Sequence, residues 1–365
     1  MSLARSILDR TLSALGVIER RARAMRHGVT ILMYHRVLPD DLWARSTLPN
    51  LVMPESAFRA QVELFARRFE VRRAHDAVAR ARMGDYAEER PTIAITFDDG
   101  YADNARVAAP ILVAAGLSAT FYIVTGLVGT PGELWFDRAI RRFRGSTPDA
   151  ARNALGAATL ANSSSTMTAR EWVNALKMLS PSARDAAIDA LQESPSTPPR
   201  HDLDHMMSLD ELRAMSAKGH EIGAHTVTHP ILTTLELDAQ RTEIESSRAA
   251  LTTILGESNT PTGFCYPNGS FSTDTERAVH LAGYSYAVTT TPGRMDEQTD
   301  TFAIPRIDMN PHHVTAHGTH DPRALLAEIS LLRHAIRKLA GKAPPAPKPS
   351  PNSSTAAPTQ PIHQS

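Results

Sequence analysis

The chain has 365 residues, 42% of them apolar and 21% charged, enough to bury one large α/β domain with appendages or two to three smaller ones. Lys plus Arg number 39 and Asp plus Glu number 39, so there is no global positive field with which to hold a nucleic acid. The single cysteine, Cys265, excludes an intramolecular disulfide and any multi-thiolate site, which leaves His, Asp and Glu as the ligands for a metal.

Residues 1–27 read as a basic amphipathic helix. Leu3, Ile7, Leu8, Leu12, Leu15 and Ile18 recur at helical spacing, and Arg5, Arg10, Arg20, Arg21, Arg23 and Arg26 outnumber Asp9 and Glu19. Charges interrupt the segment too often for the apolar stretch of a signal peptide, so the cytoplasm is the expected location. Two readings of the helix stand: packing on its own domain, or a peripheral contact with anionic lipid at the inner membrane.

Further along, short apolar runs alternate with helical patterns. Strands are predicted at Val29–Tyr34, Thr92–Thr96, Ala119–Val124, Glu221–Ala224, Thr262–Tyr266, Tyr284–Thr289 and Phe302–Ile307, with a weaker one at Phe69–Arg72. Pro54 suits the first position of a helix over SAFRAQVELFARRF. Ser208 with Glu211, and Thr273 with Glu276, have capping-box spacing, and Gly219 and Gly283 stop the helices that follow. The uncharged stretch Val107–Gly132 is broken by Pro110 and Gly116 and reads as a helix and a strand rather than a membrane span. Strand–helix alternation implies parallel pairing, and seven or eight such units imply a barrel. From about 132 to 207 no strand is apparent, and a mostly helical insertion is expected there. Residues 341–365, rich in Pro, Ser and Ala, read as a disordered tail.

Three segments carry chemistry. TFDDGY at 96–101 sets two carboxylates, Asp98 and Asp99, in a tight turn after a strand. GHEIGAHTVTHP at 219–230 places His225 and His229 four apart, and two His with one carboxylate form a catalytic metal set with an open position for water. FCYPNGSFS at 264–272 makes another strand-end turn whose amides can face a cleft. His35, Asp98, Asp99, His225, Tyr266 to Gly269 and Asp308 all fall at or just past the C-terminal ends of separate predicted strands. In a parallel barrel those ends form one face. Cys265, without a partner base, reads as a structural thiol, and Trp43, Trp135 and Trp172 as core or loop anchors.

At these residues the chain resembles the polysaccharide deacetylases with a NodB-homology domain, carbohydrate esterase family 4. TFDDGY is similar to that family's first motif, HTVTHP to its second and FCYPNG to its third, while MYHRV at 33–37 resembles an opening strand of relatives that modify exopolysaccharide. The resemblance spans roughly 28–130 and 208–310 and implies a distorted (β/α)7-8 barrel and a divalent metal, usually zinc; with the insertion inside it, the barrel domain is expected over 28–340. It further implies removal of acetyl groups from N-acetylated sugars of a polysaccharide; with the cytoplasm as the expected location, a lipid-linked precursor at the inner face of the membrane is the other expected substrate. Carried over, Asp98 is the general base and Asp99, His225 and His229 hold the metal. A backbone amide of the Tyr266–Asn268 turn, with Asn268 the better aligned, forms the oxyanion hole. Where many members have an arginine in the third motif, this chain has Cys265, and Arg306 of IPRID is the expected substitute. The family's late histidine has no clear counterpart. His35, His280 and the cluster His312, His313, His317 and His320 are the candidates for the acid. Two other functions fit the same residues: hydrolysis of another C–N bond, such as a cyclic amide, and a non-catalytic glycan-binding role.

Overall fold

The computed structural model describes residues 3–341 except 45, 47, 49, 87–88, 157–166, 194–199 and 317–318, and describes the backbone alone at 3–6 and 316. The expected tail beyond Gly341, the SPSTPP loop and His317 therefore lie outside the described residues.

Eight strands form one curled parallel sheet: β1 Val29–Tyr34, β2 Glu70–Arg72, β3 Thr92–Phe97, β4 Thr120–Ile123, β5 Glu221–Ala224, β6 Gly263–Cys265, β7 Tyr286–Val288 and β8 Ile307–Asp308. Their order is β8-β1-β3-β4-β5-β6-β7, with β2 beside β3. The result is a distorted barrel, as the sequence leads one to expect. The predicted strand Phe302–Ile307 is thinner than expected: Ile304 makes a single bridge to Val288 of β7, and only Ile307–Asp308 pairs regularly, with β1. That segment spans the seam between the two ends of the sheet.

The strands are buried on both faces, which is why they read as continuous apolar runs. Alternation still sorts the two faces. Val29, Ile31, Ala94, Tyr122, Cys265, Tyr286 and Val288 fill the interior. Leu32, Tyr34, Ile93, Ile95, Phe97, Phe121, Ile123 and Phe264 point outward into the layer shared with helices such as Glu55–Arg68, through Phe58 and Phe65. Two tyrosines plug the interior, their hydroxyls 3.2 Å apart. They explain two strand glycines: a Cβ on Gly223 meets Tyr122 Cδ1 at 2.5 Å, and one on Gly263 meets the Tyr286 hydroxyl at 2.3 Å.

Several local expectations shift. Pro54 is the residue before the helix Glu55–Arg68 rather than its first. Ser208 and Glu211 form the expected capping box, whereas the next box is Ser272 with Thr275, because the Ser272 hydroxyl accepts from Thr275 N–H at 3.2 Å. The N-terminal segment is two helices, Leu3–Ala14 and Val17–Ala24, broken at Gly16 with φ +68°. Ile18 and Ala22 are buried, but Ile7, Leu8 and Leu15 are exposed, because Asp9 turns inward to pair with Arg333. Among the described residues no helix is long and apolar enough to cross a membrane.

Across the insertion, about 132–207, the described residues build four α-helices, Trp135–Arg144, Pro148–Leu155, Ala169–Leu176 and Pro181–Asp189. They enclose a second apolar core around Trp172, Leu176, Ile188 and Leu134. Arg36 ties this unit to the barrel by pairing with Asp103 at 2.7 Å and Asp204 at 2.9 Å.

Candidate active site

Strand alternation decides which motif residues face the interior. In β3, Ala94 and Thr96 point inward, and the next residue on that side is Asp98. The chain then leaves the strand through a turn in which Asp99 has φ +77° and Gly100 φ +90°. At the end of β5, His225 donates its Nδ1–H to the Cys265 carbonyl at 2.7 Å, which leaves Nε2 facing the cavity. The following loop is pinned by Glu243 of the helix Leu237–Leu255. Its carboxylate accepts from Val227 N–H at 2.7 Å, Thr228 N–H at 2.9 Å and the Thr228 hydroxyl at 2.7 Å. His229 is thereby brought back beside His225, with φ +57° and ring centroids 4.7 Å apart.

Asp99 Oδ1 lies 3.7 Å from His225 Nε2 and 3.5 Å from His229 Nε2. All three residues are buried, and one ligand atom from each falls within 4.8 Å of the others. Those separations are too long for good hydrogen bonds and suit three donors around one cation. Asp99 Oδ2 is buried without a hydrogen-bond partner, a costly arrangement unless a positive charge satisfies it. Burial, then the neighbouring Asp98 charge, push the Asp99 carboxyl well above its ordinary pKa. Burial pulls both imidazoles below theirs, so they stand neutral, as metal ligands must. The residues present therefore fit a divalent cation. A second grouping, Asp98, His225 and Cys265, is also close enough, but there Asp98 is engaged elsewhere and burial raises the thiol's pKa well above its usual value.

That engagement is with Arg306. Its guanidinium holds Asp98 bidentately, Nη1 to Oδ1 and Nη2 to Oδ2 both at 2.7 Å. It also donates to the Thr96 hydroxyl at 3.1 Å, to the Thr289 carbonyl at 2.8 Å and toward Cys265 Sγ at 3.2 Å. Burial alone would raise the Asp98 carboxyl; the guanidinium overrides it and holds Asp98 well below the usual carboxylate range. A thiol is small enough to leave room for an arginine arriving from the barrel seam, and Arg306 occupies it.

The Tyr266 side chain is not at the site. It lies on the outward side with Phe264, stacked on Phe271 with ring centroids 4.7 Å apart, and its backbone N–H donates to the Val288 carbonyl. The placement is a one-residue alternation effect: Cys265 faces inward, so Tyr266 faces out. Asn268 is different. It has φ +59° and lines the cavity, and its N–H makes none of the hydrogen bonds that close the turn.

Asp98, Asp99, His225 and His229 lie on the wall of a cavity of about 510 Å³ that also takes in His35, Asn268 and Asp308. Burial lowers the His35 pKa to about 4 and raises that of Asp308 to about 7. Among the other histidines considered for the acid, His280 is exposed and packs on Phe302, and His312, His313 and His320 do not line the cavity. Sequence reasoning missed the insertion's share of the site. Trp135 Nε1–H donates to the His229 carbonyl at 3.0 Å, Phe136 packs edge-on against the His229 ring at 5.5 Å, and Lys177 Nζ donates to Asn268 Oδ1 at 2.7 Å. Trp172 is a core anchor.

With this geometry in hand, comparison with known proteins gives concordant findings. Residues 85–287 match the model of a family described as polysaccharide deacetylase. YxkH of Bacillus subtilis (strain 168), named as a polysaccharide deacetylase, is 26% identical over 107 residues, a match covering 29% of this chain and 38% of that relative. The match thus spans well under half of that relative's length. Two solved structures share the fold. The Streptococcus pyogenes deacetylase PplD in complex with acetate aligns with a TM-score of 0.55 at 19% identity, over 83% of this chain and 98% of its own. IcaB from Ammonifex degensii aligns with a TM-score of 0.52 at 18% identity, over 83% and 97%.

Proposed function

Because this chain belongs to the polysaccharide deacetylase family, we propose that it hydrolyses the N-acetyl groups of sugars in a polysaccharide or its lipid-linked precursor. The observation that carries the reading is the meeting, in one buried wall, of Asp99, His225 and His229 with an ionised Asp98 beside them. Asp99, His225 and His229 would hold a divalent cation, zinc by the character of two imidazoles and a carboxylate, whose chemistry is to make a water acidic and to polarise a carbonyl.

The remaining steps belong to the chain's own groups. An amide resists water because its nitrogen donates into the carbonyl, so the nucleophile must lose a proton as it attacks. Asp98 accepts that proton; Arg306 keeps the carboxylate ionised and aimed. The Asn268 N–H faces the negative charge that develops on the carbonyl oxygen, a contact worth about 3–4 kcal/mol in other hydrolases. The departing nitrogen needs a proton, and His35 is the imidazole in the cavity wall available to pass it on. Since burial keeps His35 neutral at rest, it must receive that proton within the catalytic cycle. The intact Asp98–Arg306 pair weighs against a purely glycan-binding role, which has no use for a buried, ionised base.

Metal analysis of the purified chain, with acetate release from N-acetylglucosamine oligomers, tests the reading. One divalent ion per chain and acetate production are expected, both lost in His225→Ala. Full metal occupancy without His225 would refute the ligand assignment.

The N-terminal helices fit a peripheral contact with an anionic bilayer, where a lipid-linked substrate would be met. Ile7, Leu8 and Leu15 are exposed, as are Arg10, Arg20, Arg21, Arg23 and Arg26. In cell fractionation at low salt the protein is expected in the membrane pellet, and a high-salt wash should release it. Recovery wholly in the soluble fraction at low salt would remove this contact.

A further inference from the structure

One wall of the cavity comes from the insertion rather than the barrel. On the helix Ala169–Leu176 and its C-cap, Arg170, Val173, Asn174 and Lys177 line the cavity. Their spacing of i, i+3, i+4 and i+7 is a single helical stripe. The opposite face of the helix, through Trp172 and Leu176, is buried in the insertion's own core. A stripe that faces a cavity, while its helix is anchored by other residues, is free to serve a ligand.

The stripe is cationic. Among the described residues neither Arg170 nor Lys177 has a carboxylate within 4.0 Å, whereas Arg36, Arg138, Arg141 and Arg184 are all paired. Lys177 is half-buried, and one of its three N–H donors goes to Asn268 Oδ1 at 2.7 Å. Burial lowers its pKa and supplies no counter-charge. The bond to Asn268 sets the ammonium beside the turn where the acetyl carbonyl is expected to sit. Arg170, exposed and two helical turns earlier, stands farther along the same wall.

From this juxtaposition we propose that the insertion forms a subsite for an anionic group, a carboxylate or phosphate, carried by the glycan next to the acetylated sugar. The inference rests on the deacetylase reading and deepens it by giving the substrate a charge. The planar fork of Arg170 suits a two-oxygen anion, and Lys177 supplies a point charge nearer the reacting bond.

Three probes divide the outcomes, all with the full chain carrying its divalent ion. The N-acetylglucosamine tetramer is neutral, a hyaluronan tetrasaccharide carries carboxylates, and UDP-N-acetylglucosamine carries a pyrophosphate. Binding is measured by calorimetry and acetate release in parallel. One of the two anionic probes is expected to bind about tenfold tighter than the tetramer, and which one does so identifies the source of the charge. Arg170→Glu leaves the Lys177–Asn268 bond in place and should erase that preference. Lys177→Gln should lower the preference, and Lys177→Arg should restore it, which a purely structural tether would not do. Equal binding of all three probes, unchanged in Arg170→Glu, would overturn the subsite. Anion-selective binding without acetate release from any probe would instead count against the deacetylase reading and leave the subsite standing.

Discussion

Asp98→Asn is expected to take up its divalent ion as fully as the parent chain while turnover falls by about 10³-fold. The two carboxylates are adjacent in sequence, yet the fold gives them unlike surroundings. Asp99 faces two imidazoles and leaves one oxygen without a protein partner, whereas both Asp98 oxygens are held by Arg306. An amide at position 98 keeps the shape and cannot accept the proton. It also leaves a wholly buried guanidinium facing a neutral group, which costs about 3–5 kcal/mol in comparable buried pairs. A lowered melting temperature with full metal occupancy is therefore part of the expected result. Substantial acetate release by this variant would show that Asp98 is not the base.

Arg306→Met should have the second large effect, and its signature is a pH profile. In the parent, burial raises the Asp98 pKa, and the charge and hydrogen bonds of Arg306, with smaller help from His225 and His35, lower it overall, so the carboxylate is ionised throughout the neutral range. The sign of the stability term follows. Asp98 has a folded pKa below its ordinary value near 3.8, so the pair's contribution is complete above about pH 4 and fades as the pH falls through the folded value. Removing the guanidinium leaves burial unopposed, and the carboxyl's pKa moves upward. The acid limb of kcat/KM should shift toward higher pH, with activity partly recovered in alkaline buffer, and the fold should lose about 3–5 kcal/mol near neutrality. A variant whose profile overlays the parent's would show that Arg306 does not govern the base.

Much of the site is legible from sequence because barrel topology turns strand ends into neighbours. Asp98, His225 and Asn268 each follow an apolar run, and that alone places them on one face. Arg306 was within reach for the same reason, since it precedes a strand end at the barrel seam and a short thiol marks the vacated position. Of the two ends of the Tyr266–Asn268 turn, the Tyr266 N–H is spent on the Val288 carbonyl, and its ring faces out because its neighbour Cys265 is the inward residue. Glu243, Trp135 and Lys177 lie beyond local reasoning altogether. Glu243 is one acidic residue on an ordinary helix, and only the tertiary path of the His225–His229 loop makes it a clamp for two backbone amides. The 170-173-174-177 stripe is visible as helical periodicity, but its direction depends on how the insertion docks. The shift from Thr273 to Ser272 as cap has a similar cause: two hydroxyl residues stand side by side, and the Thr275 bond to Gln240 decides between them.

Asp99, Thr226, His229 and Asn268 all hold left-handed backbone angles without being glycine, and one other described residue, Leu331, does so elsewhere. Each such angle costs on the order of 1–2 kcal/mol relative to the right-handed alternative. The expense falls when the polypeptide first collapses, before any ion or sugar arrives. Capture of the cation then demands little rearrangement, and affinity is not spent on bending the main chain. The same arrangement makes these four positions the places where a more comfortable residue would gain thermal endurance at the expense of chemistry.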